Sequence, residues 1–294
     1  MRNFTIVGIG EILWDLFPGG KMLGGAPANF AYHAQKQGNK GYIISAVGND
    51  QLGNEILKII NEKNLGNLIN LDSEHPTGTV EVTLDSDGVP TYNIIEEVAW
   101  DNIPFSRSAE KIVEVADAIC FGSLAQRNET SRNTIMRYLK NSRKNCLKVY
   151  DINLRQLYYD KSTIKESLNI ANVLKLNEEE LDVLIRLFDL DDVLESVIDQ
   201  LLHDFGLSVI ALTMGTEGSY IFSGSQKSFL PTPKIELADT VGAGDSFTAT
   251  MVSGLLQNLP LETLHQNAVE VSAFVCSSSG AMPDYPEEIT RRLS

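Results

Sequence analysis

The sequence predicts an α/β fold, in which a mainly parallel central sheet lies between two layers of helices and carries a small β-lid. Short apolar runs of strand length alternate with amphipathic helical stretches along most of the 294 residues. This alternation is typical of parallel strands that are covered on both faces. Two hairpin-like segments interrupt it, and they are predicted to lie outside the main sheet.

The alternation places the elements in a definite order along the chain. The strands are predicted at residues 4–9, 41–47, 118–121, 147–151, 173–176 and 209–213. The helices are predicted at residues 28–37, 53–63, 178–188, 193–205 and 247–256. Within the second helix, Ile56 and Ile60 share one face with Leu57 and Ile59, as expected for a helix packed on a sheet. Ligands of such sheets bind at the carboxyl ends of the strands.

The two interrupting segments are predicted to be antiparallel ribbons. Residues 77–84 alternate in polarity, residues 85–88 (DSDG) signal a turn, and residues 90–95 return. A shorter ribbon runs through residues 12–17, turns at residues 18–20 and returns through residues 21–23. We expect lid segments at about 12–24 and 77–101 within a single domain that spans residues 1–294. An ordinary extension of the sheet edge is the alternative.

Composition limits the class of partner. The chain has 24 Lys+Arg against 39 Asp+Glu, a formal net charge of −15, which argues against nonspecific nucleic-acid binding. The three cysteines (Cys120, Cys146, Cys276) lack the spacing of a metal site and fit a reducing cytoplasm, and Cys120 reads as core packing. The chain opens on a strand without a signal peptide, and no apolar stretch is long enough to span a membrane. We expect a cytoplasmic protein whose four histidines serve surface and packing roles.

Residues 239–247 (DTVGAGDSF) are the most informative stretch of the chain. Small residues keep the backbone accessible, and the apolar helix follows directly. The unpaired N–H groups at a helix start bind anions, because they lie at the positive end of the helix dipole. Asp245 would stand beside that anion, where a base could act.

A second glycine-rich element, residues 24–29 (GGAPAN), precedes the first helix. Paired glycines permit close approach of a ligand, and Pro27 suits the first turn of a helix. Asn29 offers both a donor and an acceptor. Asp15, in an otherwise apolar ribbon, would accept hydrogen bonds from sugar hydroxyls or face water. A plain strand–helix turn is the alternative for the glycines.

Two familiar nucleotide motifs are missing from the sequence. Residues 7–11 (VGIGE) begin like a dinucleotide fingerprint, but Leu13 stands where the third glycine is required. No P-loop sequence occurs either. An NAD-dependent oxidoreductase is therefore disfavoured.

With both glycine elements in this order, the chain resembles the PfkB (ribokinase-like) family of carbohydrate kinases over essentially its full length. The resemblance implies a ribokinase-like fold, ATP and Mg²⁺ as cofactors, and a sugar substrate. Asp245 would be the general base, and the N–H groups of Gly242, Ala243 and Gly244 would form an anion hole. Asp15, Gly25 and Asn29 would hold sugar hydroxyls.

The resemblance also implies a nucleotide and cation side of the site. Asn177 and Glu180 match an Asn-x-x-Glu element near Mg²⁺, which Glu180 would contact through water; a solvated helix start is the alternative. Thr213, Gly215 and Gly218 match an ATP-binding strand end, or else form a plain tight turn. Asp239, the carbonyl of Val241 and Gly280 would enclose a monovalent cation such as K⁺.

The identity of the sugar is left more open. Residues 151–155 (DINLR) resemble a stretch of fructokinases and 2-keto-3-deoxygluconate kinases, and residues 97–101 also look fructokinase-like. Arg155 would steady the phosphoryl group or the substrate, or form a surface ion pair. Tyr158 and Tyr159 depart from the Leu-Trp of those relatives.

We therefore expect a fructokinase, resembling the bacterial ones most. A ketodeoxygluconate kinase, a nucleoside kinase and a catalytically silent sugar-binding regulator are the alternatives. An exposed lid edge would suit a homodimer formed through strand pairing.

Overall fold

The computed structural model describes residues 3–84 and 90–293, so the turn predicted at residues 85–88 lies outside the described residues. The strands are β1 Thr5–Ile9, β2 Leu13–Phe17, β3 Gly20–Gly24, β4 Lys40–Gly48, β5 Gly66–Asp72, β6 Thr79–Leu84, β7 Pro90–Ile94, β8 Ala118–Phe121, β9 Leu147–Asp151, β10 Val173–Asn177, β11 Val209–Thr213, β12 Ser219–Ser223 and β13 Gln226–Leu230. The helices are α1 Ala26–Lys36, α2 Gln51–Glu62, α3 Arg107–Val113, α4 Glu129–Asn141, α5 Lys161–Ile170, α6 Glu178–Phe188, α7 Leu194–Phe205, α8 Ala243–Leu256, α9 Leu261–Cys276 and α10 Glu287–Leu293, with short 3₁₀ turns at Ala99–Asn102 and Leu124–Gln126.

Nine strands form the large sheet, in the order β13-β12-β11-β10-β9-β8-β1-β4-β5. Seven of them, from β11 to β5 in that order, are parallel to one another. Strands β12 and β13 add an antiparallel hairpin at one edge. The predicted mainly parallel sheet is confirmed, and the carboxyl ends of β1, β8, β9, β10 and β11 meet at one edge.

Successive residues of the buried strands pack against opposite helix layers. Val7 of β1 and Leu174 of β10 belong to the core that contains residues of α4 to α7. Ile6 and Val173, their neighbours along the chain, pack instead with residues of α1, α8 and α9. Because side chains alternate across a strand, both faces must be covered by helices. The three-layer α/β/α arrangement follows.

The two predicted ribbons join into one small sheet, with the order β3-β2-β6-β7. Both ribbons are antiparallel, and β2 pairs with β6 in parallel. The sheet is fixed to the core by the indole of Trp14, which donates a hydrogen bond to the Leu52 carbonyl at 3.1 Å. On the other side, the Gln156 amide donates to the Tyr92 carbonyl at 2.8 Å.

The strands and helices predicted from the sequence are all present, with ends displaced by two residues or fewer except at the start of α8. That helix begins at Ala243, four residues before the predicted apolar run, because glycine and aspartate carry no helical periodicity. Among the described residues, no helix is of a length and apolarity that would cross a bilayer. Cys120 is buried, as predicted.

A buried histidine of α1 joins this helix to the segment after α9 through hydrogen bonds. His33 is 0% exposed, and its Nε2 lies 2.9 Å from the Ala281 carbonyl oxygen, which can only accept. Nε2 therefore donates, and Nδ1 accepts from the Tyr285 hydroxyl at 2.8 Å. This arrangement requires a neutral ring, and burial lowers the pKa of His33 to about 4.

We predict that His33 makes the protein less stable in weak acid. Its folded pKa of about 4 lies below the unfolded value of about 6.5, so the unfolded chain binds a proton first as the pH falls. From pH 7.5 to pH 5, this linkage removes about 2 kcal/mol from the unfolding free energy. Urea unfolding at both pH values should show this extra loss in the wild type relative to His33→Gln.

The matched control is His203→Gln on the exposed face of α7, which should lose stability with pH as the wild type does. An equal loss in wild type and His33→Gln would contradict the prediction.

Candidate active site

The residues that the sequence singled out gather at the carboxyl edge of the parallel strands. Arg155 follows β9, and Asn177 and Thr213 end β10 and β11 as register partners. Glu11, which the sequence did not single out, follows β1. The starts of α1 and α8 approach the same edge, since their packed faces contact each other. The topology therefore brings both glycine-rich elements to one place.

The start of α8 has the geometry of an anion site. Gly242 is the N-cap residue, with the left-handed angles φ 80° and ψ −4°, and no described side chain caps the helix. The Ala243 N–H makes a long contact of 3.3 Å with the Thr240 carbonyl. The first N–H groups of a helix have no partner within the helix. A Cβ on Gly242 would lie 2.9 Å from Ala281, so the loop accepts only glycine there without a shift.

Asn29 and Asp245 join the two elements directly. The Asn29 amide nitrogen donates to an Asp245 oxygen at 2.8 Å. Asn29 is 2% exposed, in the first turn of α1. Gly25 precedes that turn with φ 115°, and a Cβ there would lie 2.5 Å from the Glu11 carbonyl oxygen. The two glycine-rich elements are thus joined by a contact between two side chains.

The Asp245 carboxyl is buried, although part of the residue is open to solvent. Burial, and then the Asp151 carboxylate, raise its pKa to about 6. The Asn29 hydrogen bond and the charges of Lys175 and Arg155 act in the opposite direction. A carboxyl with this pKa is ionised at neutral pH and is a stronger base than an exposed aspartate.

Two buried acceptors beside Asp245 have no hydrogen-bond partner among the described residues. They are the Glu11 Oε2 and Asn29 Oδ1 atoms. Glu11 is 3% exposed, and burial raises its pKa to about 7. Buried polar atoms are rarely left unpaired in native proteins. Unpaired buried oxygens of this kind suit a ligand rich in hydroxyl groups.

Asp15 and Arg155 lie close enough for the charge of one to act on the other. Burial raises the pKa of Asp15 to about 6, and the Arg155 guanidinium moderates the rise. Arg155 is exposed and makes no ion pair within 4 Å with a described residue. Its positive charge nevertheless acts to lower the pKa of Glu11 and of Asp245. The surface ion pair considered for it is therefore not formed with the described residues.

The predicted nucleotide-binding residues lie at the carboxyl ends of β10 and β11 and in the segments that follow. Gly215 and Gly218 belong to the turn after β11, which is closed by the Met214 N–H on the Gly218 carbonyl at 2.9 Å. Asn177 and Glu180 form a capping box at the start of α6, with hydrogen bonds of 2.9 and 2.8 Å. The other Glu180 oxygen accepts from the Leu154 N–H at 2.9 Å. Glu180 thus ties the loop after β9 to α6.

Asp239 organises the loop before α8. One of its carboxylate oxygens accepts from the Val241 N–H at 3.0 Å, and the other accepts from the Gly280 N–H at 3.3 Å. The three residues predicted to enclose a monovalent cation are therefore neighbours. Among the described residues, no group of three or more His, Cys, Asp and Glu side chains is arranged to hold a metal ion.

Sequence reasoning overlooked Glu11 and Lys175. Lys175 is 9% exposed, and its ammonium donates to Asp151 at 3.1 Å. A lysine inside the apolar strand VLKL was a visible signal, because lysine is almost never buried without a partner. Glu11 was noticed only as the end of an incomplete dinucleotide motif.

Comparison with known proteins finds a family and relatives that match most of the chain. The family described as pfkB family carbohydrate kinase matches residues 19–288. A sugar kinase of Pyrococcus horikoshii is 29% identical over 94% of this chain and 91% of its own. Its structure in complex with ATP superposes with a TM-score of 0.81 at 27% identity, covering 98% of this chain and 100% of that one.

Two further relatives differ in their named substrates. The ATP-dependent 6-phosphofructokinase of Thermoanaerobacterium thermosaccharolyticum is 26% identical, over 97% of this chain and 92% of its own. The fructokinase of Klebsiella pneumoniae is 28% identical, over 99% of this chain and 100% of its own.

We predict that Gly242→Ala destabilises the fold through the start of α8. Its backbone angles are costly for alanine, and the added methyl group would press on Ala281. The expected loss of unfolding free energy is about 1–3 kcal/mol, measured by urea unfolding. Gly19→Ala is the matched control, because a Cβ at Gly19 meets nothing within 4 Å. Equal stabilities of the two variants would contradict the prediction.

Proposed function

The chain belongs to the pfkB family of carbohydrate kinases, and on that premise we propose that it transfers the γ-phosphoryl group of ATP to a hydroxyl of fructose. One observation carries the proposal. Asp245 lies between the start of α8 and the unpaired acceptors of Glu11 and Asn29. A base therefore stands between an anion site and a site for hydroxyl groups.

In the proposed reaction, Asp245 is the general base. The sugar oxygen attacks the γ-phosphorus, the bond from that phosphorus to the bridging oxygen breaks, and ADP leaves with the bonding electrons. The hydroxyl proton passes to the Asp245 carboxylate. Because the transition state is loose, the base need only take the proton late. The hydrogen bond from Asn29 fixes the carboxylate toward the sugar.

The anion hole is assigned to the N–H groups of Gly242, Ala243 and Gly244. Donors fixed in advance stabilise charge where it develops, and one such donor is worth about 3 kcal/mol in comparable sites. Ala281 packs against Gly242 and His33 holds the Ala281 carbonyl. The anion hole is thus supported from behind by a rigid segment.

The sugar is assigned to Asp15, Gly25, Asn29 and Arg155. Asp15 and Asn29 accept hydrogen bonds from sugar hydroxyl groups, while the glycine keeps the backbone close to the ligand. Arg155 steadies the substrate or the phosphoryl group, since its charge reaches both Asp15 and Asp245.

ATP is assigned to Asn177, Thr213, Gly215 and Gly218, together with Gly242 and Gly244. The ATP complex of the Pyrococcus horikoshii relative supports this side of the proposal. Mg²⁺ would be held mainly by water and phosphate, with Glu180 as a contact through water. When bound, Mg²⁺ would neutralise phosphate charge.

A monovalent cation such as K⁺ is assigned to Asp239, the Val241 carbonyl and Gly280. Both Asp239 oxygens already order this loop. The cation would add its charge behind the anion hole.

We also propose that the small sheet acts as a lid, with segments at about 12–24 and 77–101. Asp15 on β2 lies near Arg155. The loop that carries Arg155 also donates a hydrogen bond to β7, from the Gln156 amide to the Tyr92 carbonyl. Strands β3 and β7 are the edges of this sheet, and a homodimer formed through one of them stays a prediction.

The choice of fructose follows the residues 151–155 and the relatives that are named fructokinases. A ketodeoxygluconate kinase would need cations besides Arg155 for the acid group, and a nucleoside kinase would need an aromatic slot. The 6-phosphofructokinase relative adds a phosphorylated ketose to the candidates.

Asp245→Asn should fold normally and lose nearly all turnover. The amide cannot accept the proton, and we expect kcat to fall by about 10³-fold or more. A coupled ADP-release assay measures turnover, and the unfolding midpoint checks the fold. The control is Asp199→Asn on the exposed face of α7, which should keep its kcat. Near-normal turnover in Asp245→Asn would remove the base assignment.

A substrate panel tests the sugar. ADP release should be fastest with fructose among ketoses, aldoses, fructose 6-phosphate, 2-keto-3-deoxygluconate and nucleosides, compared by kcat/KM. A higher kcat/KM for any other compound would replace fructose. Activity with none of them would favour the sugar-binding regulator.

A further inference from the structure

We propose that Lys175 is a positioning residue for this phosphoryl transfer: its buried ammonium balances the carboxylates around Asp245 and keeps that proton acceptor ionised. The inference rests on the proposed function, because it gives Lys175 a role in the work of the base.

The strand places Lys175 under the start of α8. Val173 faces the layer that contains Phe247 of α8, whereas Leu174 and Leu176 face the opposite core. By alternation, Lys175 points to the same layer as Val173, one step nearer the carboxyl edge. A Cβ built on Gly244 would lie 3.1 Å from the Lys175 ammonium nitrogen. The charge therefore lies against the first turn of α8.

A ring of contacts fixes it there. The ammonium donates to one oxygen of Asp151 at 3.1 Å. The other Asp151 oxygen accepts from the Thr248 hydroxyl at 2.9 Å, and that hydroxyl also lies 2.9 Å from the Gly244 carbonyl oxygen. Asp151 thus connects the lysine to the turn that carries Asp245.

The surroundings of Lys175 and Asp245 are acidic. Asp151, Glu180 and Asp245 all act on the ammonium, and Asp151 and Glu11 face Asp245. Arg155 also reaches Asp245 but is exposed, so solvent screens its charge. Cys120, on β8 two strands away, is uncharged because burial raises the pKa of its thiol. Lys175 is therefore the buried positive charge next to the base.

This arrangement is costly for a purely structural lysine. Taking an ammonium out of water is unfavourable, and a buried ion pair is often no more stable than apolar residues of similar volume. Burial disfavours the charged form, yet the three carboxylates more than offset it and raise the pKa of Lys175. The ammonium consequently stays charged and lowers the pKa of Asp245.

The test is the pH profile of kcat/KM for the sugar, measured from pH 5 to pH 9 at saturating Mg-ATP. In the wild type, activity should rise with pH through about 6, as Asp245 loses its proton. In Lys175→Met, this acid limb should move up by about 1 pH unit or more, the effect of removing an opposite charge near a carboxyl. Lys175→Arg keeps the charge and should leave the limb in place.

Lys148→Met is the matched control, since Lys148 is a half-buried lysine of the adjacent strand; its limb should match the wild type. A uniform loss of activity in Lys175→Met, with the limb unmoved, would show a structural role and overturn the inference. If Lys175→Met does not fold, the double variant of Lys175→Met and Asp151→Asn is measured, because it removes both charges of the Lys175–Asp151 ion pair. An acid limb in that double variant no higher than in Asp151→Asn alone would also overturn it.

The two proposals fail differently. Retained turnover in Asp245→Asn would overturn both, because Lys175 would then have no base to serve. If Asp245→Asn is inactive but the acid limb of Lys175→Met matches that of the wild type, the Lys175 inference alone is overturned.

Discussion

The hydrogen bond between Asn29 and Asp245 is the contact on which the site depends. It joins the first turns of α1 and α8, whose positions in the chain differ by 216 residues. Both turns begin at glycines with left-handed or otherwise positive φ, so the backbone at each end is set before any ligand arrives. The bond therefore brings together the proposed base, the proposed anion site and the proposed hydroxyl acceptors.

Acidic side chains surround this contact, although the proposed ligand ATP is a polyanion. Glu11, Asp15 and Asp245 all have raised pKa values, chiefly through burial. Backbone N–H groups suit such a place, because they stabilise an anion without adding a titratable cation. The chain's net charge of −15 therefore says little about the local site.

Much of the fold could be predicted from periodicity, and the rest could not for identifiable reasons. Strand β5 lies at the sheet edge and is half exposed, so it lacks the continuous apolar run of β8 or β9. The hairpin of β12 and β13 mixes polar and aromatic residues, and it was not predicted. The glycine elements and Asp245 were predicted from sequence because they are contiguous motifs. Glu11 and Lys175 were missed because their roles depend on residues far away in the chain.

The contacts that complete the site also determine when the site can form during synthesis of the chain. Asn29 leaves the ribosome 216 residues before Asp245, and His33 leaves 252 residues before Tyr285. At about 5–20 residues per second, α1 waits roughly 10–40 s for the helix that completes it. Throughout that time its buried polar side chains have no partners, and the apolar face meant for α8 is uncovered. A nascent chain halted before α8 would carry the hydroxyl acceptors and much of the sheet, but neither the base nor the anion site.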